Sequence, residues 1–274
     1  MEAGLVMTIA QRELREALRN KWLWFYALGF GALAFGLAQA GMSAAGYAGL
    51  GGFGRTAASL INALLLFVPL IGLTVGAGVI ASERERGTLL YLLAQPLNRA
   101  EIFFGKAIGA ALAVIAGVAL GFGIAGIGLA TDGGDPTVFL ALFGWAVLLA
   151  LVSLGIGLVI SALTSKASTA TGAALIVWLV FVFIGDLGVI GATMTFRPPP
   201  MGMLTLVLIN PLQVFKLGAI YSLRATLDTL GAAGQFAMHE FGAWLPFVLA
   251  ALLLGWIAAS FGLAYLSFAK RSTV

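Results

Sequence analysis

The densest group of charged residues in this chain opens the run Ser82-Glu83-Arg84-Glu85-Arg86-Gly87-Thr88-Leu89-Leu90-Tyr91-Leu92-Leu93-Ala94-Gln95-Pro96-Leu97-Asn98-Arg99. Carboxylates and guanidiniums at its head can form ion pairs and hydrogen bonds with a soluble protein. Leu89, Leu90, Leu92 and Leu93 give a short helix an apolar face that can seat in a partner's groove, and Pro96 stops that helix. A rigid helix held in a partner's cleft passes rigid-body movement to whatever it connects. The chemistry this pattern offers is therefore recognition and mechanical coupling; the plainer reading is a solvated connection.

Catalytic and metal chemistry have much less to work with. The chain has no cysteine and a single histidine, His239, so thiolate sites and histidine clusters are excluded. No His-Glu-Xaa-Xaa-His run and no convergent pair of carboxylates stands out, which argues against an intramembrane enzyme. Met194, Met201 and Met203, with Met238 beside His239, carry soft thioethers suited to Cu(I); ordinary packing by adaptable methionines is the competing explanation. Asp186 is the main acidic residue at apparent membrane depth, where ionisable groups are costly and often functional. It marks a possible substrate path or a wet helix end. A conduit for a charged metal would need several such ligands along the spans, which are nearly devoid of them.

Two further segments hold polar residues in ordered patterns. Over residues 5–20, Leu5, Ile9, Leu14 and Leu18 share one face while Arg12, Arg15, Glu16 and Arg19 take the other, the pattern of a helix lying on a membrane surface. The stretch 196–241 contains Arg197-Pro198-Pro199-Pro200 and then Asn210-Pro211-Leu212-Gln213-Val214-Phe215-Lys216-Leu217. A proline at the first helical position predicts a helix from Pro211.

The elements that must position these segments are apolar. Of 274 residues 61% are hydrophobic and 9% charged, far from the roughly 25% charge of a soluble domain. Apolar blocks at Trp22–Ala40, Ser59–Ala81, Ile102–Ala130, Val138–Leu163, Thr169–Gly191 and Trp244–Phe268 predict six membrane-spanning helices. The fold class is all-α: one polytopic membrane domain over residues 1–274, with an interfacial helix at 5–20, a cytoplasmic loop at 82–100 and an extracytoplasmic stretch at 196–241. Ala38-Gln39-Ala40 looks like a leader-cleavage site, but the apolar stretch before it is too long, so cleavage is not expected. With both termini in the cytoplasm, eleven of the fifteen basic residues lie inside and Arg55, Arg197, Lys216 and Arg224 outside, as the positive-inside rule requires.

The net charge of +4 and pI near 9.6 then signify contact with anionic lipid headgroups. No nucleic-acid partner is expected, because the basic residues flank apolar blocks and form no stripe. Gly72 with Gly76 and Gly117 with Gly121 are small-xxx-small pairs for close helix packing. Gly121, Gly123 and Gly126 spell a dinucleotide fingerprint, which has no meaning without a preceding strand.

The Arg-Glu-rich first helix, followed after the second span by Gly87-Thr88-Leu89, Leu92-Leu93, Pro96, Arg99 and Gly105-Lys106, resembles the permease subunits of ABC-2 type ABC transporters. The resemblance implies an inner (plasma) membrane location in a bacterium or archaeon and a second permease copy. It implies a non-catalytic subunit that couples to a separate cytoplasmic ATPase through Arg12, Glu13, Arg15, Glu83, Arg84, Glu85, Arg86, Gly87, Thr88, Leu89, Leu92, Leu93, Pro96 and Arg99. No Walker A run occurs, so ATP and Mg are expected in the partner ATPase and no cofactor in this chain.

The Asn-Pro and Phe-Lys-Leu pattern is similar to that of permeases serving copper-site maturation of nitrous oxide reductase, in denitrification. That likeness implies a homodimer with a NosF-like ATPase below and a periplasmic NosD-like β-helix protein above. The latter would dock on Asn210, Pro211, Phe215, Lys216, Leu217 and Arg224. A generic ABC-2 exporter of a drug, lipid or polymer is the alternative function. A secondary transporter is a further one, though the two halves show no convincing repeat.

Overall fold

The computed structural model describes residues 3–45, 52–93, 97–130, 136–196, 199–222 and 231–271, and among these every regular element is helical. Helix α1 (Ala3–Leu18) is followed by α2 (Lys21–Ala45), α3 (Gly52–Glu85), the six-residue α4 (Thr88–Leu93), α5 (Arg99–Ala130), α6 (Pro136–Leu163) and α7 (Ala167–Thr195). Then come α8 (Pro200–Ile209), α9 (Pro211–Ser222), α10 (Gly231–Phe241) and α11 (Leu245–Arg271).

The six expected spans correspond to α2, α3, α5, α6, α7 and α11. Five stretches are long and apolar enough to cross a membrane: Leu60–Glu85, Arg99–Gly126, Pro136–Leu163, Ala167–Gly188 and Phe236–Arg271. Helix α2, with 25 residues, reaches about 37 Å at 1.5 Å per residue, though its described apolar part, Lys21–Leu37, is shorter than those five. The chain is a multi-pass membrane protein.

Glycine pairs set the closest helix approaches. A Cβ on Gly72 would fall 2.5 Å from the Ala150 carbonyl oxygen, and one on Gly76 would fall 2.5 Å from that of Leu154, so α3 and α6 pack backbone to backbone. Gly117 and Gly121 instead make room for the side chains of Leu23 and Phe30 of α2. A third pair, Gly105 and Gly109, was not singled out from the sequence. Gly105 admits Ile9, and a Cβ on Gly109 would overlap the Ala10 carbonyl oxygen and sit 2.7 Å from Glu13 Cβ. Through that pair α1 lies directly against α5.

Capping fixes the joints. Asn20 Oδ1 accepts from the Trp22 backbone N–H at 3.0 Å, an N-cap for α2, and the Trp24 indole N–H donates to the Leu18 carbonyl at 2.5 Å, tying α2 back to the end of α1. Glu101 Oε2 accepts from the Asn98 N–H at 3.0 Å, the reciprocal half of a capping box at the start of α5.

The stretch expected outside the membrane contains a broken helix pair: α8 and α9 are both apolar and meet at an angle of 109°. Asn210 at the break donates to the Phe181 carbonyl at 2.8 Å and accepts from the Leu212 N–H at 3.0 Å. Pro211 does open the helix, with Asn210 as its cap. Phe181 lies fourteen residues before the end of α7 at Thr195, about 21 Å along that helix. The break is therefore set into the side of the bundle, and Phe215, Leu217 and Val214 are buried there between α6 and α11.

Candidate coupling site

Three helices bring charge into one dry place. Lys106 of α5 lies with its Nζ 2.7 Å from Glu13 Oε2 of α1 and 2.8 Å from Glu83 Oε1 of α3. Lys106 is only 3% exposed and Glu83 only 2%. Arg12 adds a longer contact to Glu83 at 3.6 Å from its exposed side. Glu83 Oε1 makes no directed hydrogen bond, so its attraction to Lys106 is mainly coulombic. Burial pushes the Glu13 carboxyl above the ordinary carboxylate range, against the opposing pull of Lys106.

The carboxylates of Glu13, Glu16 and Glu83 converge within 4.8 Å of one another, a geometry that could hold a cation. Lys106 already supplies that charge at the centre. Among the described residues no other group of three His, Cys, Asp or Glu ligands converges. Met194 lies in the last turn of α7, Met201 and Met203 lie on the first turn of α8, and His239 lies on α10.

The head of the loop is held to the bundle by its own charges. Arg86 donates to Glu16 of α1 at 2.9 Å and to the Ser82 carbonyl at 3.1 Å. Glu85 Oε2 accepts from the Ala167 N–H at 2.9 Å, placing a carboxylate at the N-terminus of α7, where the helix dipole favours it. Arg84 donates to the carbonyls of Ala162 at 3.1 Å and Thr164 at 2.6 Å, and Arg99 to that of Ala269 at 2.6 Å. Arg12 and Arg15 remain on the exposed or half-exposed face of α1.

Gly87, with φ of +72°, ends α3 in the left-handed conformation that glycine adopts without strain, and the Thr88 hydroxyl donates to the Glu83 carbonyl at 3.2 Å. The chain then turns into α4. Its faces divide differently from the expected leucine cluster: Leu89 and Leu92 are buried in the core, while Leu90 is 68% and Tyr91 77% exposed. The sequence pattern alone does not separate inward from outward leucines in six residues, and Tyr91 was missed. The exposed face of α4 is therefore Leu90 and Tyr91. Pro96, Arg224 and the Leu93 side chain lie outside the described residues.

On the far side, Asp186 accepts from Gln213 at 2.9 Å and Lys216 at 3.0 Å, linking α7 to α9. Gly185 makes room for this, since a Cβ there would meet the Gln213 and Asn210 amides at 2.6 and 2.7 Å. The Trp145 indole N–H donates to Ser222 at 2.9 Å, holding the end of α9 to α6.

Residues 7–273 match the family model described as ABC-2 family transporter protein. The chain is similar to a protein named probable ABC transporter permease protein NosY from Stutzerimonas stutzeri, with 34% identity, 98% of this chain and 99% of that protein being covered. It is similar to the protein of the same name from Pseudomonas aeruginosa at 32% identity, covering 97% and 98%. A buried ionic junction under a short, outward-facing helix, joined through the bundle to a broken helix on the other side, is thus built on a chain that belongs to the ABC-2 transporter family as an ABC permease subunit.

Proposed function

We propose that this chain forms the membrane part of an ATP-driven complex in which α4 receives the movement of a cytoplasmic ATPase and the bundle carries it to the α8–α9 pair. The observation that carries this reading is the Glu13–Lys106–Glu83 junction. It locks α1, α3 and α5 into one unit next to α4, so a push on Leu90 and Tyr91 acts on three helices together. The side bearing α1, α4 and the C-terminal end of α11 carries Arg12, Arg15, Arg84, Arg86, Arg99, Lys270 and Arg271, and by the positive-inside rule it is the cytoplasmic one.

The process served is copper-site maturation of nitrous oxide reductase, with the chain acting as a homodimer between a NosF-like ATPase and a NosD-like β-helix protein. The whole-length similarity to two proteins named NosY supports this assignment. Because the sequence of the spans offers almost no ligands for a charged metal, this reading assigns the chain the transmission of movement rather than the conduction of copper. Deleting the gene is expected to yield nitrous oxide reductase lacking copper, restored by the intact chain and not by one carrying Leu90→Ala with Tyr91→Ala. Full copper loading in the deletion strain would overturn the maturation reading and leave family membership untouched.

A further inference from the structure

Three guanidiniums at the end of the bundle that carries α4 bond to backbone carbonyls. The last four carbonyls of an α-helix lack partners within it, and two of those of α6, with the next carbonyl beyond its end, are served from other helices. The Thr164 hydroxyl donates to Ile160 O at 2.9 Å, Arg84 of α3 donates to Ala162 O and Thr164 O, and Arg271, the last residue of α11, donates to Leu163 O. Arg99 of α5 donates to Ala269 O in the last turn of α11. A cation at a helix C-terminus also gains from the helix dipole, and charge-assisted bonds of this kind are the stronger ones.

The two helix ends that flank α4 are therefore pinned to other helices. Arg84, in the last turn of α3, bonds to the end of α6, Arg99, the first residue of α5, bonds to the end of α11, and Arg271 joins α11 to α6. These two helices make the most extensive contacts with α9, which also touches α3, α7 and α8. On α6 the fit is close: a Cβ on Gly218 would fall 2.8 Å from the Trp145 ring, and Trp145 bonds to Ser222.

We infer that Arg84, Arg99 and Arg271 form an arginine-to-carbonyl clamp through which displacement of the α4 segment is passed to α6 and α11, and by them to α9. The three are positioning residues, and the inference rests on the reading of α4 as the element that meets the ATPase. A static set of helix caps would make the same resting contacts; the two differ when ATP acts.

The test uses the full complex of this chain with its ATPase in nanodiscs. The chain has no cysteine, so Tyr221→Cys places one thiol at the half-buried end of α9, and its maleimide labelling rate is read with and without ATP. Arg271→Gln is expected to keep the resting rate and the hydrolysis of ATP, and to reduce the ATP-dependent change by about fivefold, within the range by which residues remote from both sites alter coupling. Arg271→Lys is expected to recover more than half of the change.

An ATP-dependent change in Arg271→Gln equal to that of the parent overturns the clamp. So does an equal loss in both variants accompanied by an altered resting rate, which marks a packing defect. If the parent itself shows no ATP-dependent change at α9, the coupling reading fails, and the clamp fails with it.

Discussion

Lys106 stands between two carboxylates, one ammonium against two potential negative charges, in a place with almost no water. Removing one partner of such a group leaves an unpaired buried charge, which costs about 3–5 kcal/mol. Lys106→Met is expected to lower the stability of the detergent-solubilised protein by that order, read by thermal or denaturant unfolding. The exposed Glu16–Arg86 pair is screened, and Arg86→Ala is expected to cost at most about 1 kcal/mol. For Glu13 the folded-state carboxyl is raised, chiefly by burial, so folding favours its protonated form. The stability this contributes is full below the unfolded-state pKa and is lost as pH rises through the folded-state pKa. Glu13→Gln, an uncharged stand-in for the protonated form, is expected to flatten that part of the pH dependence without lowering stability at pH 8. A steeper dependence, or a marked loss at pH 8, would contradict the assignment.

Among the elements, α4 separates stability from recognition within six residues. Leu89→Ala removes a buried side chain and is expected to cost about 2–4 kcal/mol. Leu90→Ala with Tyr91→Ala alters only exposed groups and is expected to change stability by about 0.5 kcal/mol or less while weakening ATPase binding by more than about tenfold, as loss of an aromatic anchor does. The Gly87-Thr88-Leu89 run and the leucines after it made this segment legible in the sequence as a short helix. The split between Leu89 and Leu90 was not, because it depends on how α4 turns after Gly87. Helix α1 was legible from its two faces; its depth was not, since Glu13 sits on what reads as the polar face and is buried by the groove at Gly105 and Gly109. Gly109→Leu is expected to lift α1 from α5 and break the contact of Glu13 with Lys106, read as a loss of protection of α1 from hydrogen exchange.

At the scale of the whole molecule, apolar blocks of about twenty residues revealed the spans because lipid tolerates little else. The route between the two faces was not legible. It runs through contacts with no sequence signature: arginines bonded to carbonyls, Gly218 against Trp145, and Asn210 reaching the backbone of α7 beside Gly185. Asn210-Pro211 correctly marked a helix start, but residues 196–241 read as an external stretch because the apolar character of α8 and α9 is divided by that break. Phe215 and Leu217 fill the space between α6 and α11, and Lys216 is engaged with Asp186. The residues of α9 expected to dock an outer partner are therefore buried or engaged within the chain.

The claim on which the rest depends is that α4 meets a cytoplasmic ATPase through its exposed side. A photo-reactive phenylalanine analogue placed at position 91 in cells tests it directly, with position 92, buried about half a turn on from Leu90, as the internal control. The expected result is an ATP-binding subunit crosslinked from position 91 and none from position 92. Crosslinking from position 92 alone, or from neither position in a complex that still assembles, would contradict it.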